Sequence, residues 1–305
     1  MATGAAALPA TPALPLRRRL AERGVTPRLT LLLPAVIFAL GLFVYPFIYG
    51  LGLSFTGTEG RAGGLANYRE FFSDPYLRNT IWLTLRLAVP ADLIIVAAAL
   101  PLALGMRNMA RGRQTITIIL LFPITIGTVL LSKGLLNFLG PSGWVNRLLV
   151  TTGLVDQPVQ LVHNYWGVLF AIIISDFPFV FLLLLSYASG IDPAYERAAA
   201  VFGAGPWQRF VRVTLPLLAP GLATTASLTF VLAFGVFPSA LLVGQPNGET
   251  RTMGVAAYSE AFQQFNYPMA STVAMLMAAV ELLVIVMILG LRARFIPTRA
   301  TGRKG

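Results

Sequence analysis

The chain has 305 residues and no cysteine; 56% of its residues are hydrophobic, only 11% are charged, and the formal net charge is +11. Soluble domains carry about 25% charged residues, so an ordinary soluble enzyme is excluded, and so is a disordered chain, which requires low hydrophobicity. Without cysteine there is no disulfide framework and no thiolate metal site, and the single histidine, His163, cannot build a histidine cluster.

In chain order, residues 1–28 hold Pro9, Pro12, Pro15 and a run of arginines, and read as a basic tail. Six apolar runs follow: Leu29–Phe55, Trp82–Met106, Gln114–Phe138, Trp166–Tyr187, Leu217–Val243 and Met269–Leu291. Each has roughly the 20 residues that a helix needs to cross a bilayer. The first is longer than the apolar stretch of a signal peptide. Phe43, Tyr45 and Phe47 stand where a cleavage site needs small residues. Pro46, Pro90, Pro101, Pro123, Pro178, Pro220 and Pro238 lie within the runs. Membrane helices tolerate them when neighbours satisfy the freed backbone groups. The runs are continuous rather than alternating, which excludes a transmembrane barrel. The expected fold class is an all-α integral membrane protein with six transmembrane helices.

Charge position sets the orientation. Sixteen Lys and Arg residues fall in the two termini and in the loops after the second and fourth runs; five (Arg61, Arg69, Arg78, Arg147, Arg251) fall on the other side. The positive-inside rule then places both termini in the cytoplasm. The basic charge reads as topology and attraction to anionic lipid, not as nucleic-acid binding.

The loop between the fourth and fifth runs is the most informative stretch. Asp192 before Pro193 is an N-cap with proline at the first helical position. The helix is expected to run to about Phe202, with Gly203 in the left-handed conformation that ends it. Gly205-Pro206 begins a second short helix, which Pro216 is expected to bound. The first helix groups Ala198, Ala199, Ala200, Val201 and Phe202: small residues for close approach and an aromatic anchor. By physics alone this face fits a partner's groove or a membrane surface equally well.

Here the chain resembles a known family. Ala198-Ala199, Gly203 and Leu215-Pro216 match the spacing of a loop motif in permease subunits of bacterial type I ABC importers: Glu-Ala-Ala, three residues, Gly, nine residues, Ile, one residue, Leu-Pro. Pro206–Phe210, Val213–Gly221, Tyr45-Pro46, Leu53–Thr56 and Asn67-Tyr68 extend the resemblance over nearly the whole chain. It departs at two places: Arg197 stands at the motif's Glu position, with Glu196 one place earlier, and Val213 stands at the Ile position.

The resemblance implies a six-helix permease domain over 29–291, with a coupling loop at 188–216, and basic cytoplasmic tails at 1–28 and 292–305. It implies that the loop, through Glu196, Arg197, Ala198, Ala199, Phe202, Gly203, Leu215 and Pro216, docks on an ATP-binding cassette ATPase. It also implies a second permease, expected to be a related heterodimer partner, and a periplasmic or lipid-anchored solute-binding protein, in the bacterial inner membrane. ATP is used by the partner ATPase and no cofactor is expected on this chain. Asp192-Pro193 and the chain length look like polyamine-type permeases, while Tyr45-Pro46 and Asn67-Tyr68 look as much like sugar permeases.

Five ionisable residues lie within the runs: Arg86, Asp92, Lys133, Asp176 and Glu281. Asp92, Asp176 and Glu281 fall near mid-depth. They read either as an acidic lining of a solute pathway or as partners in ion pairs between helices, for example with Arg86 or Lys133. Asp176 is the first choice for the pathway, because Phe177-Pro178-Phe179 follows it and a helix break there would expose backbone groups. The outer stretch 139–165 opens on a turn and continues as a short amphipathic stretch with Leu148 and Leu149, and 244–267 opens on a turn followed by a short helical pattern through Tyr258, Ala261, Phe262 and Phe265. His163, beside Tyr165-Trp166, reads as interfacial.

No Gly-x4-Gly-Lys-Ser/Thr phosphate loop occurs, so the chain is not expected to hydrolyse ATP. No metal spacing or nucleophile–base arrangement is present. A self-sufficient secondary transporter is the rival class; it favours an internal repeat, which residues 29–138 and 166–291 do not show.

Overall fold

The computed structural model describes residues 27–57, 63–109 and 111–295. The expected tails at 1–28 and 292–305 therefore lie largely outside the described residues. Among these there are helices and no strands. The chain divides at Gly52/Leu53 into two units.

The first unit is a single apolar helix: α1 (Pro27–Ala39), a π turn (Leu40–Val44) and the start of α2 (Tyr45–Ser54). Its side chains from Leu32 to Tyr49 are exposed, as expected for a helix that meets lipid or another subunit. The wide turn has a local cause. Tyr45 N–H bonds the carbonyl of Leu40, five residues back, directly before Pro46. A proline ring collides with the carbonyl four residues earlier, and the wider turn relieves this. The same arrangement recurs at Phe210–Thr214, where Leu215 N–H bonds Phe210 ahead of Pro216.

The second unit contains α3 (Ala66–Ser73), α4 (Pro75–Met106), α5 (Arg113–Ile126), α6 (Thr128–Leu139) and α7 (Trp144–Thr151). It continues with α8 (Tyr165–Ser189), α9 (Pro193–Val201), α10 (Pro206–Arg209), α11 (Leu215–Phe234), α12 (Pro238–Leu242), α13 (Met253–Tyr258) and α14 (Tyr267–Phe295). Its centre is α4 packed on α8, with α11 against both and α14 against α11. The α4 face is a small-residue stripe: Ala88, Ala91, Ala99 and Ala103 are fully buried, with Leu87 and Ile95 between them. Val180, Phe181 and Leu184 of α8, and Phe230 and Phe234 of α11, fill against it. Small residues on one helix let bulky ones on the next approach closely, and packing of this kind drives association where lipid removes the hydrophobic effect.

Among the described residues five helices are long and apolar enough to cross a membrane, Leu32–Ser54, Pro75–Met106, Tyr165–Ser189, Pro206–Leu242 and Tyr267–Ala293, and a bent pair, Arg113–Ile126 with Thr128–Thr151, makes a sixth if it counts as one span. Three expectations need correction. First, the third run, Gln114–Phe138, is not one helix. It breaks at Gly127, where the axis turns by 99° between Arg113–Ile126 and Thr128–Thr151. Gly127 has φ +79° and ψ 156°, a region that only glycine enters without strain. Second, no break occurs at Pro178; α8 runs through it, and Pro178 is buried among its neighbours, which hold the helix together. Third, Pro216 does not end the second loop helix. The helix continues from Pro206 into the fifth span, because the π turn before Pro216 absorbs the proline.

Gly127 gives a direct test. A Cβ there would meet nothing within 4 Å, so any loss on substitution is backbone strain alone. Gly127→Ala is expected to destabilise the fold by about 1–3 kcal/mol, read as a lower thermal midpoint in detergent. Gly134→Ala, in the regular turns of α6 with equal space around it, is expected to hold or raise the midpoint.

Candidate functional site

The loop between α8 and α11 forms as its sequence dictates. The Asp192 carboxylate accepts from Ala194 N–H at 2.8 Å, with Pro193 in the first turn. The helix ends at Gly203, whose φ of +81° is left-handed. Gly205 N–H donates to the Gln208 side chain at 3.2 Å and opens α10.

An ion pair holds this loop to the end of α4. Arg107, the residue after α4, donates through Nη2 to both Glu196 oxygens, at 2.5 and 2.6 Å. The Thr214 hydroxyl donates to the same carboxylate. The Arg107 and Glu196 side chains are 9% and 21% exposed. Burial alone raises the Glu196 pKa. The hydrogen bonds from Arg107 and Thr214 and the charges of Arg107 and Arg209 outweigh it and hold the carboxyl below its ordinary range. Glu196 therefore faces into the chain. Arg197 and Ala198 face out, Ala199 is half-buried, and Leu215 and Pro216 belong to the first turn of α11. Val201 and Phe202 are 86% and 90% exposed. The outcome is an aromatic tip on a loop locked at its base.

The three mid-run acids do not share one place. Asp92 is buried on α4, and its Oδ1 has no hydrogen-bond partner among the described residues. Asp176 is half-buried and lines a cavity of about 250 Å3 with Pro123, Gly127, Thr128 and Phe179. The break that exposes backbone beside Asp176 is thus in the neighbouring helix pair α5–α6, not in its own helix. Glu281 is half-buried on α14 and does not line that cavity. The alternative of ion pairs is not found: among the described residues, Asp92 and Asp176 pair with neither Arg86 nor Lys133. The Arg86 guanidinium lies 5.0 Å from the centre of the Tyr165 ring, and Lys133 is exposed.

At the other end of the helices, α7 forms on the expected amphipathic stretch, while the helical pattern expected through Tyr258 and Phe265 starts earlier, as α13, and continues as a π turn over Ser259–Gln263. His163, at φ +56°, joins the two stretches: its N–H donates to the Val243 carbonyl at 2.6 Å, and Nδ1 lies 3.1 Å from the Gly244 carbonyl. Arg251 is 4% exposed and stacks 3.3 Å above the Tyr76 ring, in a polar cavity of about 490 Å3 that also holds Asp74 and Glu260. Burial lowers the Arg251 pKa, against the charges of Glu260 and Asp74, and burial raises that of Glu260.

Sequence reasoning missed Arg107 and Thr214 as the partners of Glu196; Arg107 counted only as an orientation charge. It also missed Gly127, although Pro123 and Gly127 spaced four apart in an apolar run were a readable breaker signal. The Arg251–Tyr76 stack joins residues far apart in sequence and left no local signal.

Comparison with known proteins agrees with this architecture. Over 247 residues the chain is 27% identical to the spermidine/putrescine transport system permease protein PotB of Haemophilus influenzae, covering 78% of this chain and 85% of that one. It is 26% identical over 271 residues to the trehalose transport system permease protein SugA of Mycobacterium tuberculosis, covering 85% of each. A crystal structure of a bacterial alginate ABC transporter contains a chain of the same fold, with a TM-score of 0.77 at 24% identity over 93% of this chain and 99% of that one. The family model described as binding-protein-dependent transport system inner membrane component matches residues 93–300. The chain belongs to that family, the multi-pass inner-membrane permease subunits of ABC importers.

Proposed function

We propose that this permease passes a polyamine or related cationic solute, delivered by an external binding protein, and that loop 188–216 is its coupling element on the cytoplasmic side. Both termini then lie in the cytoplasm, with residues 1–28 and 292–305 as basic tails around the domain 29–291. The single observation that carries the coupling role is the 90%-exposed Phe202 on a loop fixed at its base to α4. A separate ATP-binding cassette subunit takes this tip and supplies ATP hydrolysis; this chain binds no cofactor. A second, related permease completes the pathway. The unpartnered outer surface of α14, with Leu282, Leu283 and Val286 exposed, supports such a neighbour.

The cation preference rests on Asp176 beside the Gly127 break. A sugar is the second reading, favoured by the likeness to a trehalose permease over 85% of the chain. Asp176→Asn separates them. With spermidine as the solute, the variant is expected to transport about tenfold more slowly, roughly the loss of one charge-assisted contact, while ATP hydrolysis continues. An unchanged rate moves the preference to the sugar.

The assembly is tested by affinity purification of the tagged chain from its own host in mild detergent, with mass spectrometry of its partners. An ATPase subunit and a second permease are expected. A complex that lacks an ATPase yet transports solute in liposomes identifies a self-sufficient transporter instead.

A further inference from the structure

Beside the Glu196 anchor lies a second set of polar groups that the coupling role does not use. A pocket of about 240 Å3 is lined by Arg107, Arg209, Glu196, Thr214 and Phe210. Glu196 occupies only Nη2 of Arg107. Nε and Nη1 of Arg107 and Nε of Arg209 are buried and have no acceptor among the described residues. Two guanidiniums face one carboxylate, so the pocket keeps one positive charge in excess. Buried N–H groups without acceptors are costly, and three of them on two planar cations fit the oxygens of a phosphate group.

The pocket is not isolated. Leu104 and Phe210 also line an apolar groove of about 560 Å3, with Leu100, Pro101 and Trp207. Leu100, Leu104 and Arg107 lie four and three residues apart, on one face of α4 and its end. Trp207 is 73% exposed at the groove's edge, the position that an indole takes at a membrane interface. An apolar channel that ends on two cations matches an amphiphile with an anionic head. A free phosphate satisfies the head pocket and leaves the groove empty; an acidic peptide segment has no use for the apolar length.

We infer that this groove and pocket form a binding site for an anionic phospholipid, with its phosphate on Arg107 and Arg209 and an acyl chain along Leu100, Leu104 and Trp207. The topology proposed above enters only in assigning the site to the cytoplasmic leaflet, where basic pockets between membrane helices hold such headgroups. The lipid's headgroup would share Arg107 with the coupling loop's own anchor, so the lipid would stiffen the base of that loop.

The test uses the purified chain with its native partner subunits, exchanged into detergent with equal phosphatidylglycerol and phosphatidylcholine. Native mass spectrometry counts the retained lipid. Wild type is expected to retain phosphatidylglycerol preferentially. Arg209→Gln should lower retention about tenfold, the loss of one charge-assisted contact. Arg212→Gln removes an exposed charge nearby and should not change it. Pro101→Trp fills the groove without lining the head pocket, keeps both guanidiniums and should also expel the lipid. Equal retention in wild type and Arg209→Gln overturns the proposal. So does displacement by excess inorganic phosphate with no effect of Pro101→Trp, which assigns the pocket to free phosphate. A wild-type complex that retains no phosphatidylglycerol overturns it too, and cross-linking from position 207 then identifies the subunit that fills the groove. The readout is taken on this chain whether or not an ATPase accompanies it, so its failure and that of the coupling role are distinguishable.

Discussion

Phe202→Ala is expected to abolish stable association with the ATPase subunit while leaving the permease folded. The ring is 90% exposed and its neighbour Val201 86% exposed, so the chain itself gains almost nothing from them. A buried aromatic anchor at an interface typically contributes at least about 2 kcal/mol, or roughly 30-fold in affinity. The measurement is the amount of ATPase retained on the immobilised permease after washing, with the thermal midpoint as control. Loss of the ATPase at an unchanged midpoint fits a docking tip. Full retention assigns the grip to another surface, and a fall in midpoint assigns Phe202 to the fold.

Glu196→Gln is expected to give the opposite pattern. It removes the anion that faces the Arg107 guanidinium, a side chain only 9% exposed. Leaving one member of a buried pair uncompensated costs about 3 kcal/mol. The variant should show a lower midpoint and faster proteolysis within 190–216. Arg107→Gln should do the same, and the double variant should lose less than the sum of the two, which is the sign of direct coupling. The pH dependence has a defined sign. The carboxyl is held below its ordinary value of 4.5 in the folded chain. Its contribution is therefore complete above 4.5 and is lost as the pH falls through the lowered value. Protease sensitivity of the loop should stay flat from neutral pH down to that range and rise only below it. A rise near pH 6 would point to a different anchor.

The helical class, the apolar runs and the loop's turns were legible because each follows from local chemistry. Asp192 caps, Gly203 turns left-handed and Gly205-Pro206 restarts the helix whatever surrounds them. The broken third run was not read, because its composition is uniformly apolar and the break lies in one backbone angle at Gly127. Proline misled twice. Pro178 and Pro216 were read as breakers, yet neighbouring helices sustain the first and a wide turn relieves the second. The Arg107–Glu196 pair joins residues 89 apart. Such a contact is set by how α4 meets the loop, which one sequence does not disclose. Phe202 was found from its place beside small residues, whereas its exposure needed the structure.

Helix α4 runs unbroken from Pro75 to Met106, 32 residues, or about 48 Å at the usual helical rise. At one end Arg107 clamps the Glu196 loop; at the other Tyr76 lies under Arg251. Thr84, one third of the way along, accepts from the Met253 backbone at 2.9 Å, and Asp92 lies about midway. The helix is therefore a shaft with a fitting at each end and a buried carboxyl group near its middle. A tilt of a few degrees imposed at Arg107 displaces the Tyr76 end by several ångströms. On the coupling role proposed above, a torque applied at the Glu196 loop would be carried to the Arg251 end along one continuous helix, so the two ends would move together.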